Sequence, residues 1–426
     1  MTTRPPIGRG LAAAALACLC GAFGCASDYV ARTKPARTAY EAYRPEEALR
    51  DLDEERGPDK DKLLYLLDKG MVLHAAARYA ESLEVLAKAD KLSQDLDFTS
   101  IGEESAALLT SERERTYRGE DFEKLMISVL QALNFAELGR DEDALVEVRR
   151  VDERLHKMVV EEKKPYEQLA ISRYLGGVLY EDQGDLDAAF IDYEAAYGLQ
   201  QSLGPLAEPL VRLARQTGRE DLARKLLGAP ATPGTPGTPG APGLPGAADA
   251  RPIGPGEGQV VVFIEAGRSP QKESLRHKTA AAQIIDIPHY RDRGTALPAS
   301  VAAEGRSTAA VEVTSLSAVA KAHLDDRVGR LLAKALVQTG LKAGVAAGVA
   351  SQTQSEGLGA LTFLVLSQLN QADLRSWLSL PAQFQVARLR LPVGKHTVTV
   401  EAAGMTTEHP VEIRARRIAV LVLRRY

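Results

Sequence analysis

The sequence GVLYEDQGDLDAA, residues 177–189, decides the fold of the N-terminal half of this 426-residue chain. In this stretch a tyrosine is followed four residues later by Gly184 and five residues after that by Ala189. Residues 132–144 and 211–223 repeat this spacing. A glycine there ends a helix in the left-handed conformation, and the alanine lets two helices approach closely. The candidate packing residues are Gly139 and Ala144, Gly184 and Ala189, and Gly218 and Ala223.

The repeated spacing predicts a stacked array of helix pairs over residues 38–228. Gly184 and Gly218 lie 34 residues apart (218 − 184), which is the period of tetratricopeptide (TPR) repeats. A weaker unit at residues 70–89 would add a further pair, and an insertion around residues 157–166 makes the array irregular. One pair cannot bury its apolar face alone, so neighbouring pairs must stack. The alternative is a plain helical bundle in which these spacings arise by chance.

Residues 229–258 are rich in proline and glycine, with a glycine at every third position from 234 to 246. Five such triplets are too few for a collagen-like triple helix, so we expect an extended, semi-rigid linker. This linker would separate the helical domain from a mixed α/β domain over residues 259–426. We expect each half to fold alone, so the fold class is an α+β multidomain protein.

The C-terminal half alternates between strand-like and helical patterns. Gln259 to Glu265, with the sequence QVVVFIE, predicts a strand, and HTVTVE from residue 396 alternates as a half-buried antiparallel strand does. The turn at Pro392 to Lys395 would join two of the last strands as a hairpin. Further strands are predicted at 282–287, 310–314, 384–391, 396–402, 410–414 and 417–423, and helices at 317–340 and 358–369.

Residues 1–24 are typical of a secretory signal, because a basic start precedes an apolar run at 11–23 that is too short to span a bilayer. A small residue followed by Cys25 then resembles a bacterial lipobox, in which the cysteine becomes the lipidated first residue. Cys25 is therefore the candidate lipidation site. Because Ala26 follows it, such lipoproteins imply the outer membrane as the address. The alternative is cleavage after Ala26, which leaves a soluble periplasmic protein.

Composition and motifs argue against several function classes. A net charge of −4 argues against a nucleic-acid partner. No histidines have the spacing of a metal site, and no serine lies in a hydrolase elbow. Glu265 and Asp286 end predicted strands and are expected to be solvated. We therefore expect no enzyme activity, no catalytic residue, no cofactor and no metal site.

Two stretches could instead serve binding. The acids within Tyr117 to Lys124 fit the start of a helix, where the helix dipole favours them, with a partner contact as the alternative. The spacing of Gly340, Gly344 and Gly348 favours close helix packing, with contact to a bilayer as the alternative.

The chain resembles the uncharacterised TPR-containing lipoproteins of Gram-negative bacteria. Tyr117 to Leu155, Leu324 to Leu336 and Ala372 to Val400 carry this resemblance. It implies a helical repeat half, a mixed α/β half and a lipid anchor, and it implies no activity. The last hairpins, with Gly394 before HTVTV, are also similar to PEGA-type β modules of envelope proteins.

These patterns predict a non-enzymatic, lipid-anchored protein of the outer membrane that faces the periplasm. The groove of the TPR-like array would bind a protein or peptide partner of the envelope. The C-terminal domain would bind a second partner or cell-wall material. One alternative is an assembly or activator factor for an envelope machine, such as cell-wall synthesis or polysaccharide export. Another is an enzyme whose site in the C-terminal domain matches no known motif.

Overall fold

The computed structural model describes residues 29–52, 57–103, 115–162, 169–200, 204–227, 250–278, 284–328 and 372–426. Cys25, residues 229–249 of the predicted linker and the helix predicted at 358–369 lie outside the described residues, as does the glycine spacing from Gly340 to Gly348. The structure combines a helical N-terminal part with strands in the C-terminal part. Within the described residues, no helix is both long enough and apolar enough to cross a bilayer.

Paired helices build the N-terminal part. Three short helices come first: α1 (Tyr29–Arg32), α2 (Lys34–Glu41) and α3 (Pro45–Asp51). The pairs follow as α4 (Lys62–Ala75) with α5 (Tyr79–Glu103), α6 (Asp121–Glu137) with α7 (Asp141–His156), α8 (Ala170–Gln183) with α9 (Leu186–Leu199), and α10 (Gly204–Gln216) with α11 (Glu220–Leu226). A π-helix at Lys157–Glu161 lies in the region of the predicted insertion.

The repeat glycines lie at the turns between paired helices. Gly139, Gly184 and Gly218 have φ values of 67°, 85° and 76°, the left-handed conformation expected from the sequence. The first pair turns instead at Ala77, with φ 57°. The alanine of each repeat, Ala144, Ala189 and Ala223, is fully buried in the second helix of its pair.

The repeat spacing begins with a small residue, Gly177, and the structure shows why it must be small. A Cβ atom on Gly177 would lie 2.6 Å from the ring of Tyr193, so only glycine lets α8 and α9 approach this closely. The Tyr193 ring is fully buried there. The spacing within residues 177–189 therefore reflects two close contacts between α8 and α9, one at Gly177 and one at Ala189.

Two sheets and a hairpin make up the described strands of the C-terminal part. The first sheet has the order β10 (Ile418–Arg425), β1 (Glu257–Ala266), β7 (Gln383–Pro392) and β6 (Val311–Ser315). The second has the order β5 (Arg306–Ala309), β4 (Ala299–Ala303), β8 (Gly394–Ala402) and β9 (Met405–Ile413). Strands β2 (Gln271–Lys278) and β3 (Ile284–Arg291) form the hairpin, and helix α12 covers 316–328 up to the next gap.

The strand predictions were right in part. The last four strands are present, whereas β2, β4 and β5 were not predicted. The predicted hairpin through Pro392 to Lys395 is wrong, because β7 and β8 belong to different sheets and the chain crosses from one to the other at Val393. The linker also ends earlier than expected, since Glu257 and Gly258 already pair with β7.

The first sheet lies between the helices and the second sheet. In β1, Val261 and Phe263 join the core shared with the helices, and Val260, Val262 and Ile264 join the core shared with the second sheet. Successive side chains of a strand point to opposite faces, so a central strand that is covered on both sides reads as an unbroken apolar run. The result is three layers: helices, first sheet and second sheet.

The helical part and the first sheet share one apolar core. It runs from Tyr29 in α1 to Val422 in β10 and includes Phe263, Phe384 and Trp377. The ring of Phe263 packs edge-on against Tyr174 of α8 at a centroid distance of 5.9 Å. This joint core differs from the expectation that each half folds alone, because separating the halves would expose the large apolar side chains between them.

We predict that Ala189→Leu destabilises the protein by about 1–3 kcal/mol, since added methylene groups must be accommodated between closely packed helices. Chemical denaturation of the full chain measures the free energy of unfolding. Ala87→Leu is the control, because Ala87 is exposed in α5. Equal stability of the two variants would contradict the close helix contact at Ala189.

Candidate functional site

The first sheet packs against the first helices of the helix pairs. The first helices of three successive pairs, α6, α8 and α10, contact strands of the first sheet. This face was predicted to bind a partner in the TPR-like groove. In the structure the chain's own sheet covers this face, because apolar side chains of β1 and β7 pack against the helices in a shared core. A partner must therefore contact another surface of the protein in this conformation.

A buried segment, Arg375 to Leu380, locks the sheet onto the helices through side-chain carboxylates. The backbone N–H of Trp377 donates to Glu123 Oε1 at 2.6 Å. The hydroxyl of Ser379 donates to Asp68 Oδ1 at 2.6 Å, and Arg375 donates to Asp61 Oδ1 at 2.8 Å. A buried loop has no strand ladder for its amides, and here the N–H groups of Trp377 and Ser379 donate to Glu123 and Asp68 instead.

Glu123 connects the start of α6 to this buried segment. Glu120 and Glu123 form a capping box, and the Tyr117 hydroxyl donates to Glu123 Oε2 at 2.5 Å. Burial, together with the charge of Glu120, raises the pKa of Glu123 to about 7. The acids of Tyr117 to Lys124 therefore cap a helix, as predicted, and Glu123 also accepts a hydrogen bond from the C-terminal part of the chain.

Glu120 is held by two cations from the C-terminal part. Its carboxylate accepts from Lys272 of β2 and, at 2.5 Å, from Arg327 of α12. Burial opposes ionisation here, but the two positive charges outweigh it and lower the pKa of Glu120. The ion pairs fasten the β2–β3 hairpin and α12 to the helix start.

Two further carboxylates cap the edge strand β10. The N–H of Ile418 donates to Asp182 Oδ1 at 2.5 Å, and the N–H of Val422 donates to Glu137 Oε1. An exposed strand edge invites pairing with other chains, and here acids from α6 and α8 occupy two of its donors. Burial raises the pKa of Glu137 to about 7.

Glu265 pairs with a histidine, contrary to the prediction that it is solvated. His74 Nδ1 lies 2.6 Å from Asn134 Oδ1, and His74 Nε2 lies 3.1 Å from Glu265 Oε1. All three side chains are buried between α4, α6 and β1. Burial opposes protonation of His74, but the charge of Glu265 outweighs it and raises the histidine pKa. The side chains of His74 and Glu265 are 2% and 0% exposed, so this acid–base pair links α4 to β1 within the interior.

A polar cluster continues the interface towards α10. Arg388 of β7 donates to Glu181 at 2.7 Å and to the Tyr193 hydroxyl at 2.8 Å. Arg212 of α10 donates to the other oxygen of Glu181 at 2.6 Å. The two arginines outweigh the burial and lower the pKa of Glu181. The cluster keeps Glu181 ionised between the two layers.

Beside this cluster lies the arginine cleft, a cavity of about 680 Å³ between α10, β1, β7 and the β5–β6 segment. Four guanidinium groups line it, from Arg251, Arg306, Arg388 and Arg390. Gly204, Glu208 and Gln259 also contribute to its wall. Guanidinium groups in a fixed arrangement recognise carboxylates and phosphates. The arginine cleft is therefore the candidate binding site.

The sequence reasoning placed the repeat residues but missed both the interface and the arginine cleft. The glycines and alanines predicted for repeat packing lie at separate helix turns and contacts, and the structure does not bring them into one site. The missed signal was in β7, where Arg388 and Arg390 continue the face that begins with Phe384 and Val386. In the described part of the chain, no group of His, Cys, Asp and Glu could hold a metal ion.

Comparison with known proteins gives weak structural matches. No protein family matches the sequence, and no curated protein does either. Among solved structures, a MamA mutant matches with a TM-score of 0.29 and 17% identity, over 45% of this chain and 84% of that chain. MamA AMB-1 matches with a TM-score of 0.28 and 16% identity, over 46% of this chain and 91% of that one. The similarity is weak and extends over less than half of this chain.

We predict that Glu137 makes stability depend on pH. Its folded pKa, about 7, exceeds the ordinary glutamate value, so the native state binds the extra proton. Its contribution is complete below the ordinary value and is lost as the pH rises through about 7. Between about pH 4 and pH 8 the wild type should lose about 1–3 kcal/mol of unfolding free energy relative to Glu137→Gln.

The Glu137→Gln variant keeps an oxygen that can accept from Val422 and removes only the titration. Denaturation at several pH values measures the difference, with Glu142→Gln on exposed α7 surface as the control. Parallel pH profiles for wild type and Glu137→Gln would contradict the prediction.

Proposed function

We propose that this chain is a non-enzymatic, lipid-anchored envelope protein that serves as a protein-binding scaffold. The observation that carries the proposal is the joint core of helices and sheet, which presents the arginine cleft on a single packed body. The ionisable groups buried between the layers, such as Glu265, Glu123 and Arg388, form hydrogen bonds within the chain, and Arg388 also lines the arginine cleft. Buried ionisable groups that hold the fold together, beside a cleft lined by arginines, support a binding role.

The anchor rests on Cys25 and the signal-like residues before it. A lipoprotein cysteine carries at least two acyl chains, and two chains give stable attachment to a membrane. In the proposal the anchor holds the protein at the inner leaflet of the outer membrane, facing the periplasm. Where the described chain resumes after the Pro/Gly-rich linker region, Arg215 of α10 donates to the carbonyl of Ala250 at 3.0 Å.

We predict that the mature N-terminus is a diacylated or triacylated Cys25. Mass spectrometry of the N-terminal peptide from membrane-purified protein measures this. Cys25→Ser should abolish the modification and release the protein from the membrane fraction. An unmodified peptide that begins at Ser27 in the wild-type protein would rule out the anchor.

The scaffold function predicts a defined protein partner in the envelope. Crosslinking in intact envelopes, followed by purification of the full chain and identification of crosslinked peptides, should recover the same partner reproducibly. The Cys25→Ser variant is the control, because release from the membrane should deplete that partner. Recovery of no protein other than the chain itself would contradict the scaffold function.

The identity of the partner also separates the alternative functions. A component of cell-wall synthesis or polysaccharide export would favour an assembly or activator factor. An enzyme activity that depends on a metal ion has no candidate ligand cluster among the described residues.

A further inference from the structure

We infer that the arginine cleft binds an extended, carboxylate-rich segment of a partner protein. This inference rests on the proposed scaffold function and names the chemistry of its ligand. The evidence comes from the charge balance of the cleft, from the exposure of its rim and from the strand edge beside it.

The cleft has more positive than negative side chains. The carboxylates of Glu181, Glu208 and Glu257 neutralise part of the charge. Arg388 pairs with Glu181, and Arg390 pairs with Glu208 at 2.8 Å and with Glu257 at 3.3 Å. The cluster thus contains five arginines and three glutamates, a surplus of two positive charges: Arg212, Arg251, Arg306, Arg388 and Arg390 against Glu181, Glu208 and Glu257.

Arg306 and Arg251 form the rim of the cleft. Arg306 is exposed, and its Nη1 donates to the carbonyl of Arg390 at 2.5 Å, with no carboxylate partner among the described residues. The Arg251 side chain is 60% exposed and donates to Glu257. Arg388 and Arg390 below them are 5% and 13% exposed. The buried pair therefore fixes the floor, and the rim offers charge to a ligand from solvent.

A strand edge borders the same cleft. Strand β6 ends the first sheet, and no strand in the described ranges pairs with its outer edge. Val311 of β6 and Thr308 of β5 line the cleft. An extended peptide can place its backbone along such an edge while its side chains enter the adjacent pocket. Carboxylate side chains of the peptide would then meet Arg306 and Arg251, which favours an acidic segment over an apolar one.

The test measures binding of a fluorescein-labelled deca-glutamate peptide to the full chain by fluorescence polarisation. We expect saturable binding, and we expect Arg306→Gln to weaken it about fivefold or more, since one charge-assisted contact is lost. The double variant Arg306→Gln with Arg251→Gln should weaken it further. Arg414→Gln, an exposed arginine on the turn after β9, is the matched control and should leave binding unchanged. Circular dichroism checks that each variant is folded.

Other outcomes overturn the inference. Binding that is absent, or that is equal for wild type and Arg306→Gln, would exclude the cleft as the site. Displacement of the peptide by inorganic phosphate at the same concentration of charged groups would show an anion site without preference for a protein segment. If the wild-type chain binds the peptide but crosslinks to no partner protein in the envelope, the scaffold function is rejected alone. If it crosslinks to a partner but does not bind the peptide, only the cleft is rejected as the site.

Discussion

The hydrogen bond from the Trp377 backbone to the Glu123 carboxylate is the contact on which the architecture depends. The segment around Trp377 is buried on all sides, and its amides have no sheet to pair with. Glu123 serves both this segment and the N-terminus of α6, so one carboxylate satisfies donors from both parts of the chain. Leaving such donors unsatisfied would cost about 1–3 kcal/mol each. This requirement ties the start of a helical repeat to the strand that follows the segment.

The same arrangement recurs along the interface with different residues. Carboxylates on the helices accept from backbone or side-chain donors of the C-terminal part: Asp61, Asp68, Glu123, Glu137, Glu181 and Asp182. The apolar side chains of β1 and β7 fill the space between these contacts. A buried polar group stabilises an interface only where its partner is in place, so the contacts also fix the position of the sheet on the helices. The inner face of the repeats is consequently an internal interface, and the arginine cleft lies where that interface opens towards solvent.

Sequence reasoning succeeded where the signal was local. The repeat spacing placed Gly184 and Ala189 correctly at a turn and a helix contact because both belong to one helix pair. Strand β8 was predictable because polar and apolar residues alternate within HTVTVE, a pattern that lies inside one strand. The parallel pairing of β1 with β10 was not, since it joins residues 159 positions apart, such as Gln259 and Ile418. The same holds for His74 and Glu265, whose contact no local pattern encodes. The pair Arg388 and Arg390 could have been noticed, because two arginines on an otherwise apolar strand face need partners or a cleft.

The central claim is that the helices and the first sheet are one cooperative unit. Trp377, the single tryptophan of the chain, lies in their shared core and reports directly on the interface. Urea unfolding of the full chain should be followed in parallel by Trp377 fluorescence and by far-ultraviolet circular dichroism, which is dominated by the helices. The account predicts that the two transitions coincide, as a two-state process requires. Loss of the native Trp377 signal at a lower urea concentration, with the helices still folded, would contradict it.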